Sequence, residues 1–240
     1  MLAKMKSILR KLLLGNISQI PKAKHNPIGK RIRNIKSIWN NDHQDDNGIE
    51  KIVRLLLSIS QLLFPGIYIK YLAAKKGEEY QDLAMDCYII IKVAFPIVIL
   101  YNQWQHIHWL VYIMIYLLLE TVLYIPTLIF ASDLISRPRS YKRSILLLFL
   151  NYLEIIFAYA VFYSCGRYLN KPFSESFDAV YFSIITSSSI GYGDYHPDTL
   201  IGKVLVSTQA LLFLFFVVLF LNFFSTQIKS KGYFDHENKE

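Results

Sequence analysis

The sequence predicts an all-α integral membrane protein with four transmembrane helices and one short re-entrant helix. Three observations lead there. The 240 residues are 53% hydrophobic and only 18% charged, whereas a soluble domain carries about 25% charge. The apolar residues are gathered into long runs. Lys and Arg collect between alternate runs, within a formal charge of +8. Disorder, collagen and a coiled coil are excluded by the same composition, and Cys87 and Cys165 offer neither a disulfide framework nor a metal-ligand spacing.

Residues 1–48 read as a basic cytoplasmic arm, with ten Lys or Arg and no Asp or Glu in the first 40 positions. The run Leu12-Leu13-Leu14 is too short for the apolar core of a cleaved signal peptide. Leu2, Met5, Leu9, Leu12 and Leu13 share one helical face, and Ile32, Ile35 and Trp39 share another, each among basic residues. Such helices adsorb to anionic lipid at ~1 kcal/mol per basic residue near the surface; the competing reading is a disordered segment that only sets topology. The turn-forming Asn40–Gly48 leads to residues 49–76, an expected interfacial amphipathic helix interrupted at Pro65-Gly66 and flanked by Lys51, Arg54, Lys70, Lys75 and Lys76.

Leu83–Tyr101 and Ile107–Ala131 form a predicted two-helix hairpin (83–131). Ile145–Cys165 and Leu200–Ile228 bound a second unit (145–228), and each run approaches or exceeds the roughly 20 residues needed to cross hydrocarbon. The first is the least apolar in pattern, carrying Asp86, Lys92 and Pro96. The loop 132–144 holds Arg137, Arg139, Lys142 and Arg143 and belongs inside by the positive-inside bias. Asn102–His106 has no Lys or Arg, and Gly166–Thr199 has two basic against four acidic residues, so both belong outside. An even number of crossings then separates the arm from loop 132–144. Ile52–Tyr71 accordingly lies at the interface or dips in and returns, and both termini, including the tail 229–240, are expected in the cytoplasm. Compact size and the lack of a cleaved signal point to a bacterial cytoplasmic membrane.

Ser174–Ser188 lies between the last two spans, with Pro172 and Ser174 as a helix start signal and Glu175 and Asp178 at the positive end of its dipole. About 14 residues reach only ~21 Å, too short to span. The chain returns through Ser189-Ile190-Gly191-Tyr192-Gly193-Asp194, and irregular backbone at this depth is tolerated only where protein buries it or water lines it. Gly191 and Gly193 allow φ > 0 without a Cβ clash, so successive carbonyls can face one way and stack oxygen cages for a dehydrated cation. Ile190 and Tyr192 would turn their side chains into protein, and Ser189 would add a hydroxyl at the innermost position. The negative end of the short helix favours a cation below.

This segment resembles the signature of tetrameric potassium channels. Ser188-Ser189-Ile190-Gly191-Tyr192-Gly193-Asp194 matches the family's TTVGYGD with Ser for Thr and Ile for Val. The match continues through Pro197, Thr199, Gly202 and Lys203, and Tyr181-Phe182 takes the place of the aromatic pair in the pore helix. The resemblance covers Ile145–Ile228, about a third of the chain. It implies a homotetramer in which each chain supplies one strand of a selectivity filter (Ser189, Ile190, Gly191, Tyr192 and Gly193), with K+ held by the carbonyls of Ser189, Ile190, Gly191 and Tyr192. Asp194 would hydrogen-bond behind the filter to Tyr181. Conduction would be passive and potassium-selective, with no nucleotide or metal cofactor and K+ as the permeant ion.

Departures from the family pattern are informative. Ile185 stands where many bacterial relatives place a Glu behind the filter, and Phe213 where many have a hinge Gly; no Gly occurs from Lys203 to Ser230. Leu214, Val217, Leu221 and Ser225 share the face expected to line the cavity. Asn222 and the Phe223-Phe224 pair mark a candidate hydrophobic gate or a packing surface. No helix carries Arg or Lys at every third position, so strong voltage gating is not expected.

Lys92, Glu120 and Glu154 each fall near the middle of a span, where a charge costs at least ~2.5–3.5 kcal/mol without a partner. Lys92 is expected to pair with Glu120 or Glu154 and clamp the hairpin to the second unit; the remaining Glu would face water or be protonated, making opening pH-sensitive. His196 follows the filter, where it could tune external block or simply be solvated. Competing functions are a non-selective or Na+-permeable channel, a K+-uptake transporter subunit and a non-conducting membrane-anchored interaction protein. No Ser/His/Asp, HExxH or P-loop constellation supports an enzyme, and no zinc-finger, RNP or helix-turn-helix pattern supports nucleic-acid binding.

Overall fold

The computed structural model describes residues 26–42, 47–130 and 141–227, with the side chains of 78–79, 141 and 222–227 outside that description. The amphipathic face at Leu2–Leu13, most of loop 132–144 and the tail 229–240 therefore lie outside the described residues. Every regular element among the described residues is helical. Among the described residues, four helices are long and apolar enough to cross a membrane, over Tyr80–Tyr101, His108–Phe130, Lys142–Ser164 and Leu200–Leu221.

Helix α1 (Pro27–Asn40) begins where the Asn26 side chain accepts from Ile28 N and Gly29 N at 3.0 and 3.2 Å, with Pro27 at its first position. It ends at Asn41 in the left-handed region, φ 57°. Residues 49–76, expected as an interfacial helix interrupted at Pro65-Gly66, form two helices, α2 (Gly48–Ser60) and α3 (Pro65–Ala74), bent by 61° at their junction. Proline explains the break. Pro65 has no N–H to continue the ladder, and its ring biases Phe64 to extended backbone (ψ 154°), from which a new helix starts.

Helix α4 (Glu78–Tyr101) runs through Pro96 without interruption. A turn around Gln103 (φ 54°) and a short 3-10 segment, Trp104–His106, reverse the chain into α5 (His108–Phe130). Helices α6 (Tyr141–Ser164), α7 (Ser176–Ser187) and α8 (Leu200–Gln227) complete the order. Helix α4 lies along α6, α3 lies along α4, and α2 lies against α5. The polar residues that interrupt α4 are explained by these neighbours. Asp86 receives Arg143 Nη2 at 2.6 Å and Arg143 Nε at 3.1 Å, while Asp82 lies 3.2 Å from Arg143 Nη1, fastening the start of α6 to α4.

The apolar core sits where α5, α6, α7 and α8 meet, around Ile125, Ile155, Val161, Phe182, Phe216 and Leu219. Helix α8 is barely covered, whereas half of the best α6 window is buried. Gly202 is required near the start of α8, because a Cβ there would come within 2.5 Å of the Tyr168 carbonyl oxygen. Thr199 caps this helix by accepting from Gly202 N at 3.1 Å.

Candidate ion-conducting site

Helix α7 starts one residue later than Pro172 and Ser174 led us to expect, with Glu175 as its N-cap. Asp178 Oδ2 accepts from Ser174 N at 2.9 Å and Glu175 N at 3.1 Å, which sets the boundary. The same oxygen accepts from Tyr195 Oη at 3.0 Å. Tyr195 immediately follows the glycine segment and Asp194. Its ring lies against Phe173 and Phe182, at 5.1 and 6.2 Å between centroids, and beneath Lys171 Nζ at 4.5 Å. Asp178 and Tyr195 thus strap the outer end of the segment to the start of α7. The sequence reading assigned Asp178 only a dipole role and missed Tyr195; an aromatic just after GYGD was the available signal.

These contacts hold the Asp178 carboxyl below the usual carboxylate range, chiefly through the backbone N–H of Glu175 and then of Ser174, with Tyr195 and Lys171 adding to the effect. A lowered folded value means the ionised form supports the fold. The support is complete above the ordinary carboxylate range and lost as pH falls through the folded value. Thermal unfolding of wild type and Asp178→Asn should therefore differ most at neutral pH and converge on acidification; a gap independent of pH would contradict this account.

The inner end of α7 turns directly into the glycine segment. Ser189 N donates to Thr186 O at 3.1 Å, and Ile190 N to Ile185 O at 3.0 Å. Ser189, Gly191 and Gly193 have φ of 57°, 55° and 81°, so left-handed backbone recurs at every second residue. Nothing lies within 4 Å of a Cβ built on either glycine, so the constraint there is conformational rather than steric. That Ser189 shares this conformation was not legible from residue type. Tyr181 lies within hydrogen-bonding reach of Asp194. Ile190 and Tyr192 are 54% and 70% exposed in the single chain.

A buried polar network holds α7 from behind. Gln209 of α8, 1% exposed, donates through Nε2 to Ser183 O at 3.0 Å and Ser183 Oγ at 2.8 Å. Tyr163 of α6 donates to Gln209 Oε1 at 2.7 Å, and Ser183 Oγ donates to Ile156 O at 2.7 Å. Three helices are joined through one amide side chain. Sequence reasoning missed Gln209; an amide side chain in the middle of a span, after Ser207-Thr208, was the signal.

Of the cavity candidates, Leu214 and Leu221 lie on the exposed face of α8 with Leu211 and Val218, while Val217 is half-buried. The side chains of Asn222, Phe223 and Ser225 lie outside the described residues. Ile185 is buried behind the glycine segment.

The three intramembrane charges converge. Lys92 Nζ is 3.3 Å from Glu154 Oε2 and 3.9 Å from Glu120 Oε2. Thr121 receives a hydrogen bond from Lys92 and itself donates to Glu154 Oε2 at 2.8 Å. Glu120 accepts from the Tyr88 hydroxyl and, through Oε1, from Gly66 N at 3.1 Å. Helices α3, α4, α5 and α6 therefore meet in one polar knot, of which Lys92, Glu154 and Thr121 are fully buried.

Residues 148–230 match the family model described as an ion channel. The same region is similar to potassium channels. Over 71 residues the chain is 37% identical to Potassium voltage-gated channel subfamily KQT member 4 of Homo sapiens, and equally so to the Rattus norvegicus and Mus musculus proteins of that name. The aligned stretch covers 30% of this chain and 10% of each of those relatives. No solved structure matches the chain. The channel region takes in most of α6, all of α7 with the glycine segment, and α8; the polar knot reaches it through Glu154.

Proposed function

We propose that the chain is one subunit of a homotetrameric channel that conducts K+ selectively and passively. The observation that carries this reading is the left-handed backbone at Ser189, Gly191 and Gly193, placed at the C-terminal end of a short helix. Such alternation is what aligned carbonyls of Ser189, Ile190, Gly191 and Tyr192 require. One chain provides one strand of the cage, so a closed cage needs four. The exposure of Ile190 and Tyr192, and the uncovered apolar face of α8, fit surfaces that neighbouring subunits cover.

On charge distribution, both termini are assigned to the cytoplasmic side of the membrane. Ile32 and Trp39, 44% and 69% exposed on basic α1, suit adsorption to anionic lipid. The purified protein in liposomes should pass K+, with a reversal potential that follows the K+ gradient when Na+ opposes it. Gly191→Asp should abolish this flux while leaving a tetramer on cross-linking. A reversal potential indifferent to K+ and Na+ would replace the reading by a non-selective cation channel. A monomer without flux would end it.

A further inference from the structure

Helix α2 is amphipathic in the wrong sense for a helix bathed in water. Ile52, Leu56, Ile59 and Leu63 form an outward stripe and are 64%, 57%, 48% and 66% exposed. The opposite side buries Arg54 and Ser58, with Leu57, against the protein. A helix on an aqueous surface turns its apolar stripe inward and its polar residues out. Leu56, Ile59, Ser60 and Leu63 line an open apolar groove on this outward side. Helix α3 continues the pattern with Leu72, 61% exposed.

The junction between the two helices has a defined depth. Residues 63–66 pack beside Tyr116 and Glu120, the ninth and thirteenth residues of the 23-residue α5. At 1.5 Å per residue α5 is about 34 Å long, so the junction lies near its midpoint. A break there frees backbone groups that no water reaches, and each must find a protein partner. The Leu62 carbonyl accepts from Tyr68 Oη at 2.8 Å and the Leu63 carbonyl from Tyr116 Oη at 2.6 Å. Pro65 brings no N–H, and Gly66 N is capped by Glu120 Oε1 at 3.1 Å. Gly66 is needed for that approach, because a Cβ on it would meet the same oxygen at 2.3 Å. The Phe64 and Tyr116 rings close the junction at 5.4 Å between centroids.

We infer that residues 48–74 form a broken helix embedded in the bilayer, its Ile52–Leu56–Ile59–Leu63 stripe covered by lipid acyl chains and its break capped by Tyr116 and Glu120. This goes beyond the conduction reading and does not depend on it. Hydrocarbon is the occupant that the stripe and the depth select together: the stripe offers no polar group, and the flanking α5 is itself long and apolar enough to span. The segment is thus a membrane element in its own right rather than a surface helix.

Single nitroxide labels at positions 52, 56, 59 and 63, in the full chain with Cys87→Ser and Cys165→Ser, would be read in liposomes by collision with oxygen and with a water-soluble nickel chelate. Oxygen should dominate at all four, as at lipid-facing position 112 of α5, and the nickel signal should be several-fold below that of position 196 in the outer loop. Nickel access equal to position 196 would make the segment a surface helix. Exclusion of both reagents would mean that a neighbouring subunit covers the stripe. Either result overturns the inference. In the Glu120→Ala variant the orphaned Gly66 N–H should draw in water and raise nickel access at position 63 several-fold; no change would overturn the capping role. The four positions report separately, so loss of one labelled variant leaves the inference testable.

Discussion

Replacing Lys92 with methionine should lower the stability of the folded protein by roughly 3–5 kcal/mol, the range for removing one partner from a buried charge pair. Lys92 is the cation of the polar knot, 3.3 Å from Glu154 and 3.9 Å from Glu120. Its removal leaves the fully buried Glu154 with Thr121 as its remaining hydrogen-bond donor. A second replacement, Glu154→Gln, removes the orphaned charge while keeping an oxygen for Thr121, so the double variant should recover much of the loss. Thermal unfolding in detergent at fixed pH reads both. Additive losses in the double variant would show that Lys92 and Glu154 act independently. The knot also sets a direction of influence: Glu154 belongs to α6, which packs on α7, so loosening it should lower K+ flux as well as stability.

Gln209→Leu should cost roughly 2–6 kcal/mol, with two buried groups left short of a partner at about 1–3 kcal/mol each. Leucine fills similar space but offers no acceptor to Tyr163 Oη and no donor to the Ser183 carbonyl. The effect should exceed that of Tyr163→Phe, which deletes a single hydrogen bond worth about 1 kcal/mol. Ser183 sits in the middle of α7, so on the conduction proposal a released α7 also misplaces the carbonyls that begin at Ser189. Flux should fall further than stability alone predicts. Equal unfolding temperatures for Gln209→Leu and wild type would show that the amide does not anchor α7.

The spans were legible because hydropathy over twenty residues is a local property. Helix α4 was less so. Its Asp86 and Lys92 find partners on α5 and α6, and a single sequence does not show which distant residue answers a charge. The same limit hid the shape of 48–74. Pro65-Gly66 was visible as an interruption, but its cap, Glu120, lies 54 residues further on. In the glycine segment, Gly191 and Gly193 announced positive φ by residue type, while Ser189 took it because of its place between α7 and the glycines. Gln209 and Tyr195 went unread because hydrogen bonds between helices depend on register, which appears only after the helices pack.

Tyr168–Asn170 and His196–Thr199 are sewn together on the outer side: Leu169 bridges Pro197, Asn170 N donates to His196 O at 3.0 Å, and Asp198 N to Tyr168 O at 3.0 Å. Everything between those seams, from Lys171 to Tyr195, is therefore a closed collar whose two ends cannot be pulled separately. A displacement at either seam is therefore passed to the glycine segment from both sides at once.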